Sequence, residues 1–219
     1  SQGASLRSIW DEFVQPVAIG CDATRFDQHV NVDLLRYEHS VYVALVPRAF
    51  RPKLQRLLDM QLTNTGFARG EDGVLKYEVA GRRMSGDINT GLGNCVIMCS
   101  VMFALRSKLG IHLRLVNNGD DCVLVCERKH TQLVQESLVP HCAQFGIVMV
   151  PEKPVTVFEE IEFCQTKPVF DGTQWIMMRD PWVCIDKDLS TVIPIGDSVK
   201  CARKWSKAIG DCGISLVGG

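Results

Sequence analysis

"VNNGDDCVLVCE" (Val116–Glu127) sets two adjacent acids, Asp120 and Asp121, between a turn signal and an apolar run. Asn-Asn-Gly bends a chain readily, and the five residues after the acids read as a buried strand. Ile111 to Val116 alternates apolar and polar residues as a half-buried strand does, so the whole segment reads as a hairpin with Cys122 to Cys126 returning. Two like charges at the edge of a buried strand repel, and burial raises the cost of ionising them. Either both acids face water at the turn, or a cation sits between them.

The flanking sequence reads as mixed helix and strand. Helices are expected at Leu6–Phe13, Val32–Leu45, Arg51–Gln61, Gly86–Lys108, Thr131–Phe145 and Ser198–Ile209. Strands are expected at Val17–Asp22 and Ile147–Val150. Asn64 to Arg69 reads as a turn, and Glu71 to Gly73 joins two extended pieces as a hairpin. Glu160–Cys164 and Val169–Asp171 bracket a tight turn near Thr166–Pro168. Hairpins in place of regular βαβ units argue for an α+β fold.

A second acidic pair lies upstream in "CDATRFDQ", with Asp22 and Asp27 five residues apart. On one strand that odd spacing puts them on opposite faces. They can share a site only if the strand ends between them and the chain turns. With Asp22 beside the hairpin, three carboxylates converge at one sheet end, the oxygen-rich setting that hard divalent cations favour. Between the two clusters lies "GRRMSGDINTGLGNCVIM". Ser85-Gly86 reads as a helix N-cap, and Asp87, Thr90 and Asn94 follow on one helix face. That stripe is either solvated or a row of hydrogen-bonding groups toward a ligand. Arg82 and Arg83 read either as phosphate contacts or as a solvated pair.

The remaining totals narrow the classes. The 219 residues are 46% hydrophobic and 22% charged, the profile of a globular chain. A net charge of −1 gives no global case for nucleic-acid binding, so any such case rests on local sites. Ten cysteines contain no C-x-x-C pair, and they read as ordinary reduced, buried thiols. The longest apolar run, Cys95–Leu105, is too short to span a bilayer, and no transmembrane segment is expected. Lacking Met at Ser1 and ending on "ISLVGG", the chain reads as an excerpt of a larger protein.

Asp-x4-Asp, then Ser-Gly-x3-Thr-x3-Asn, then Gly-Asp-Asp, in this order, resembles the palm of viral RNA-dependent RNA polymerases. "GCDATRFDQHV", "RMSGDINTGLGNC" and "EFCQTKPV" most resemble the tombusvirus and carmovirus (Tombusviridae) group of positive-strand RNA viruses, and the resemblance covers most of Val17–Val169. The resemblance implies an antiparallel palm sheet flanked by helices over residues 1–170, with 31–80 partly fingers insertion. It makes 171–219 the start of an incomplete thumb.

The resemblance also implies roles. Asp22 and Asp120 are metal ligands with Asp121 as supporting carboxylate, for two Mg²⁺ (or Mn²⁺) ions. Asp27, Ser85 and Asn94 recognise the ribose 2′-hydroxyl of a ribonucleoside triphosphate, with Gly86 and Thr90 in the same substrate-binding segment. Lys153 is the general acid for the leaving pyrophosphate, with an exposed loop lysine as the plain alternative. Gln165 and Lys167 contact the priming strand. Implied partners are RNA template and product, ribonucleoside triphosphates, and the missing fingers and thumb. A viral auxiliary replicase protein and host membranes would be reached through other segments, in cytoplasmic membrane-associated replication complexes. The excerpt alone is expected to bind RNA poorly and to polymerise little. A reverse transcriptase and a non-catalytic replicase module with the same fold remain as alternatives. Asp27 stands where the first of these would carry an aromatic gate, and Asn118-Gly-Asp-Asp where it would read Tyr-x-Asp-Asp.

Overall fold

The computed structural model describes residues 1–188, 190–192 and 198–217. Leu189, residues 193–197 and residues 218–219, all within the expected thumb segment, lie outside the described residues.

In chain order the elements are α1 (Gln2–Trp10), β1 (Pro16–Ala23), α2 (Phe26–His29), α3 (Val32–Leu45), α4 (Arg51–Asp59), β2 (Thr63–Gly70) and β3 (Gly73–Ala80). There follow α5 (Thr90–Leu109), β4 (Leu113–Asn118), β5 (Asp121–Glu127), α6 (Thr131–Ala143), β6 (Met149–Pro151), β7 (Thr166–Phe170), β8 (Trp175–Arg179), α7 (Pro181–Asp188) and α8 (Val199–Val217). The α+β expectation holds: β4-β5-β1-β6 form one antiparallel sheet, and β2-β3 and β7-β8 are separate antiparallel hairpins.

Strand β5 is apolar without alternation because both of its faces are covered. Cys122, Leu124 and Cys126 point into a core with Ile97, Met98, Val101, Met102 and Leu105 of α5 and Val134 and Leu138 of α6. Val123 and Val125 point the other way, onto Leu6, Trp10, Phe13, Phe158 and Ile161. The period-2 alternation of β1 matches, with Ile19, Cys21 and Ala23 on the first core and Ala18 on the second. By the same parity Asp121 and Asp22 extend the face of the second core.

Several expected boundaries move. Asn64 to Arg69 is strand, paired along its length from Thr63↔Ala80 to Gly70↔Gly73, so the turn is Glu71-Asp72 alone. Small polar residues suit this exposed hairpin because neither face is buried. The tight turn lies at Cys164-Gln165, both with positive φ (52° and 58°), and Thr166–Pro168 belongs to β7. Strand β8 and helix α7 had no clear signal. Helix α5 starts at Thr90 and not at Gly86, because the hydroxyl of Ser85, expected to cap it, is engaged elsewhere, and the side chain of Asn89 at the actual N-cap position makes no cap. Ser85 bonds Asp27, and Asn89 donates to Glu38 at 2.8 Å. Asp87 therefore lies outside the helix.

Helix α5 is long and apolar enough, by length and composition, to cross a membrane, which the apolar run alone did not suggest. Five of its large apolar side chains pack into the first core. All ten cysteines are free; Cys21, Cys122, Cys126 and Cys142 are buried, whereas Cys99, Cys201 and Cys212 are exposed, against the expectation for those three. Burial pushes the Cys126 thiol up to about 11 and the Cys142 thiol up to about 12.

Candidate functional site: an acidic cleft and a polar cluster

Asp22 and Asp121 are directly opposite partners in the β1–β5 ladder. Partners across an antiparallel pair carry their side chains on the same face, about 5 Å apart at Cβ. Asp120 is the second residue of the two-residue β4–β5 loop, whose ends are the pair Asn118↔Asp121. Its carbonyl accepts from the N–H of Ala23 at 3.3 Å, so the loop is stitched to the end of β1. Gly119 takes the first loop position with φ +83°, where a side chain would be strained. A Cβ there would also lie 3.3 Å from the Cβ of Asn94. Asn117 fixes the turn from below: its Oδ1 accepts from Gly119 N–H at 2.8 Å, and its Nδ2 donates to the carbonyl of Cys95 at 3.0 Å.

These acids open on a cleft of about 490 Å³ lined by Asp22, Asn118, Asp120, Asp121, Glu152, Glu162, Cys164 and Gln165, with Gly20 and Cys21 as its floor. Among the described residues no Lys or Arg lines it. Asp121 is half-buried, and it accepts from the backbone N–H of Cys164 at 2.7 Å. Its carboxyl pKa is raised by burial; that hydrogen bond opposes the shift, and Asp120 and Asp22 add to it. Glu152 lies over Gly20, where any Cβ would collide with it. Its pKa is raised by burial and by the charges of Glu162, Asp121 and Asp22. Glu152 and Glu162 were not singled out from the sequence; only their position relative to β1 and the Cys164 turn reveals them.

The oxygen-only charge of this cleft suits a hard divalent cation; burial is the main cause of the raised Asp121 and Glu152 pKa values, and the mutual repulsion that adds to it is what a cation would relieve. Among the described residues no three His, Cys, Asp or Glu side chains are already drawn together as a metal-binding group.

The second cluster forms where β1 ends. Asp27 sits in the short helix α2, after Arg25 has turned the chain with φ 49°. It does not line the acidic cleft. Its Oδ2 accepts from the Ser85 hydroxyl at 2.7 Å and its Oδ1 from Asn94 Nδ2 at 2.9 Å. The backbone N–H of Arg83 donates to the Asp27 carbonyl at 2.8 Å. Thr90 joins less directly: its hydroxyl donates to the carbonyl of Met84 at 2.7 Å and holds the loop that carries Ser85. Gly86 is exposed, with open space where a Cβ would stand.

Arg83 follows neither reading of the Arg82-Arg83 pair. Its side chain is completely buried and ion-paired with equally buried Glu38 of α3, and its Nε donates to Asn94 Oδ1 at 3.1 Å. Arg82 is exposed with φ 71°. Lys153 is exposed, one residue beyond Glu152. Gln165 lines the acidic cleft, whereas Lys167 lines a neighbouring one and pairs loosely with Glu162 at 3.8 Å.

A family model described as viral RNA dependent RNA polymerase matches residues 1–219. The RNA-directed RNA polymerase of Tobacco necrosis virus (strain A) is 50% identical over 218 residues, covering 100% of this chain and 30% of that protein. That of Melon necrotic spot virus is 47% identical, covering 99% and 27%, and that of Turnip crinkle virus 46%, covering 99% and 27%. The chain thus spans less than a third of the length of these relatives.

Proposed function

The chain belongs to the viral RNA-dependent RNA polymerase family, and from that premise we propose that it is the catalytic core of an RNA-directed RNA polymerase. It adds ribonucleotides to an RNA 3′ end on an RNA template during replication of a positive-strand viral genome. The observation that carries the reading is the pairing of Asp22 with Asp121 on one sheet face, with Asp120 in the loop stitched beside them. Residues 1–170 form the palm, 31–80 contribute part of the fingers, and 171–219 begin the thumb. The remainder of a longer protein supplies the rest of both.

Asp22 and Asp120 would hold two divalent cations, Mg²⁺ or Mn²⁺, with Asp121 in support. When bound, such ions lower the pKa of the RNA 3′-hydroxyl and neutralise charge developing on the triphosphate. Asp121 is steadied by the Cys164 N–H, which donates to its Oδ2. Lys153 would give a proton to the departing pyrophosphate, and Gln165 and Lys167 would touch the priming strand.

Asp27, Ser85 and Asn94 select ribose. Once Ser85 donates to Asp27, its oxygen is left to accept from a hydroxyl. Asn94 keeps a second N–H after donating to Asp27. An acceptor and a donor side by side match a 2′-hydroxyl, which both gives and takes a hydrogen bond. Deoxyribose would leave both unpaired. This favours RNA synthesis over reverse transcription, and the intact set of acids favours an enzyme over a non-catalytic replicase module. RNA template, product and ribonucleoside triphosphates are the partners, in the host cytoplasm at membrane-associated complexes assembled through other segments and a viral auxiliary protein.

The test is primer extension by the full-length replicase. Asp120→Ala should abolish incorporation, and a variant that still replicates RNA at the wild-type rate would instead favour the non-catalytic module.

A further inference from the structure

Asp27 is not held by Ser85 and Asn94 alone. Behind Asn94 runs a buried polar chain through Arg83 to Glu38, and Arg83 can only donate. Its Nε takes the Asn94 oxygen and its Nη2 takes Glu38 Oε2. With Asn94 Oδ1 committed to Arg83, the amide nitrogen must face Asp27. Glu38 is tied on its other oxygen by Asn89 Nδ2 at 2.8 Å, and Asn89 Oδ1 accepts from Gln61 at 2.8 Å. Among the described residues Arg83 Nη1 is buried without a hydrogen-bond partner, and the guanidinium is held there by its bonds to Asn94 and Glu38. Gly93 leaves room for this crossing: a Cβ there would meet Glu38 and Arg83 together.

We propose that Glu38 and Arg83 are positioning residues for sugar selection, fixing the Asn94 amide so that its free N–H and the Ser85 oxygen meet the 2′-hydroxyl together. The inference rests on the ribose-selecting reading of Asp27, Ser85 and Asn94. Its physical basis is that a hydroxyl is recognised only when donor and acceptor are both held in place, because a loosened amide can turn to satisfy itself. The pair touches no substrate and lies wholly inside the fold, with both side chains fully buried. A buried pair of this kind is a poor source of stability, since desolvating both ions offsets their attraction, which fits a role in specificity.

The experiment compares kcat/KM for ribonucleotide and matching deoxyribonucleotide in primer extension by the full-length replicase. Removing one partner would strand a buried charge, so the main variant is the neutral double Glu38→Gln/Arg83→Met. Arg83→Lys is the second: it keeps the charge opposite Glu38 but lacks the rigid fork needed to reach Asn94 as well. In both, ribonucleotide preference is expected to fall roughly tenfold, chiefly through a raised KM for the ribonucleotide. A merely structural pair would change the melting temperature and leave the sugar ratio at the wild-type value. If Asp27→Ala destroys the preference while Arg83→Lys keeps it in full, the positioning role is overturned and the ribose reading stands. If Asp27→Ala also leaves it intact, the ribose reading itself fails.

Discussion

Asp22 lies directly across the β1–β5 ladder from Asp121, with both side chains on the sheet face that farther along carries Ala18, Val123 and Val125. The second core ends where the two carboxylates begin. The same alternation that buries the valines therefore delivers the acids to the cleft, Asp22 exposed and Asp121 half-buried, without a cationic side chain among the described lining residues.

Neutralising either proposed ligand should therefore remove two things at once. In the full-length replicase, Asp22→Asn and Asp120→Asn are each expected to abolish nucleotide incorporation. They should also abolish the rise in melting temperature that millimolar Mg²⁺ gives the wild type. Titrating Mg²⁺ in a thermal melt checks this; an undiminished rise in both variants would place the cation elsewhere.

Glu152 has a raised carboxyl pKa, so its proton is held more readily in the folded chain than in the unfolded one. Its contribution to stability is therefore full below the ordinary value of 4.5 and is lost as pH rises through the folded-state pKa. At pH 7 Glu152→Gln should raise the melting temperature by roughly 2 °C in metal-free buffer, a modest figure because solvent screens a partly exposed group. The gain should shrink toward pH 4, where both side chains are neutral. Melts at pH 4, 5.5 and 7 measure it.

Two glycines test the packing around the sites. Gly119→Ala forces a side chain onto φ +83° against Asn94, and should cost about 1–2 kcal/mol. Gly93→Ala drives a methyl into the buried Glu38–Arg83 pair, and should cost about 1–3 kcal/mol. Denaturant unfolding of the full-length protein gives both values.

Lys153 stands exposed beside the cleft. If it protonates the leaving pyrophosphate, Lys153→Leu should lower kcat by about 10²-fold or more with little change in KM, and should remove the basic limb of the pH–rate profile. An unchanged kcat and profile would return Lys153 to an ordinary loop lysine.

Among the described residues no lysine or arginine lines the cleft to grip a triphosphate directly. Residues 1–219 by themselves are accordingly expected to give no primer extension and only weak, salt-sensitive RNA binding. Filter binding and extension assays on this segment measure both, and brisk extension would show that the phosphate site is already present.

The order of the acidic motifs, the hairpin around Gly119 and the long apolar helix could be read from the sequence because each is local. A turn type, an alternation and a period of 3.6 are properties of neighbouring residues. So was the grouping of Asp27 with Ser85 and Asn94, through the family pattern. What the tertiary structure decided is where distant side chains meet. Arg83 looked like half of a solvated or phosphate-binding pair, and became a buried ion-pair partner only because α3 brings Glu38 against the start of α5. Glu152 and Glu162 had no motif, and joined the cleft because β6 pairs with β1 and the Cys164 turn is tied to Asp121. Helix α5 started at Thr90, and not at Gly86, because the expected cap Ser85 was claimed by Asp27. Local propensity amounts to tenths of a kcal/mol to about 1 kcal/mol per residue. A buried charge left unpaired costs several, so long-range pairing prevailed at these positions.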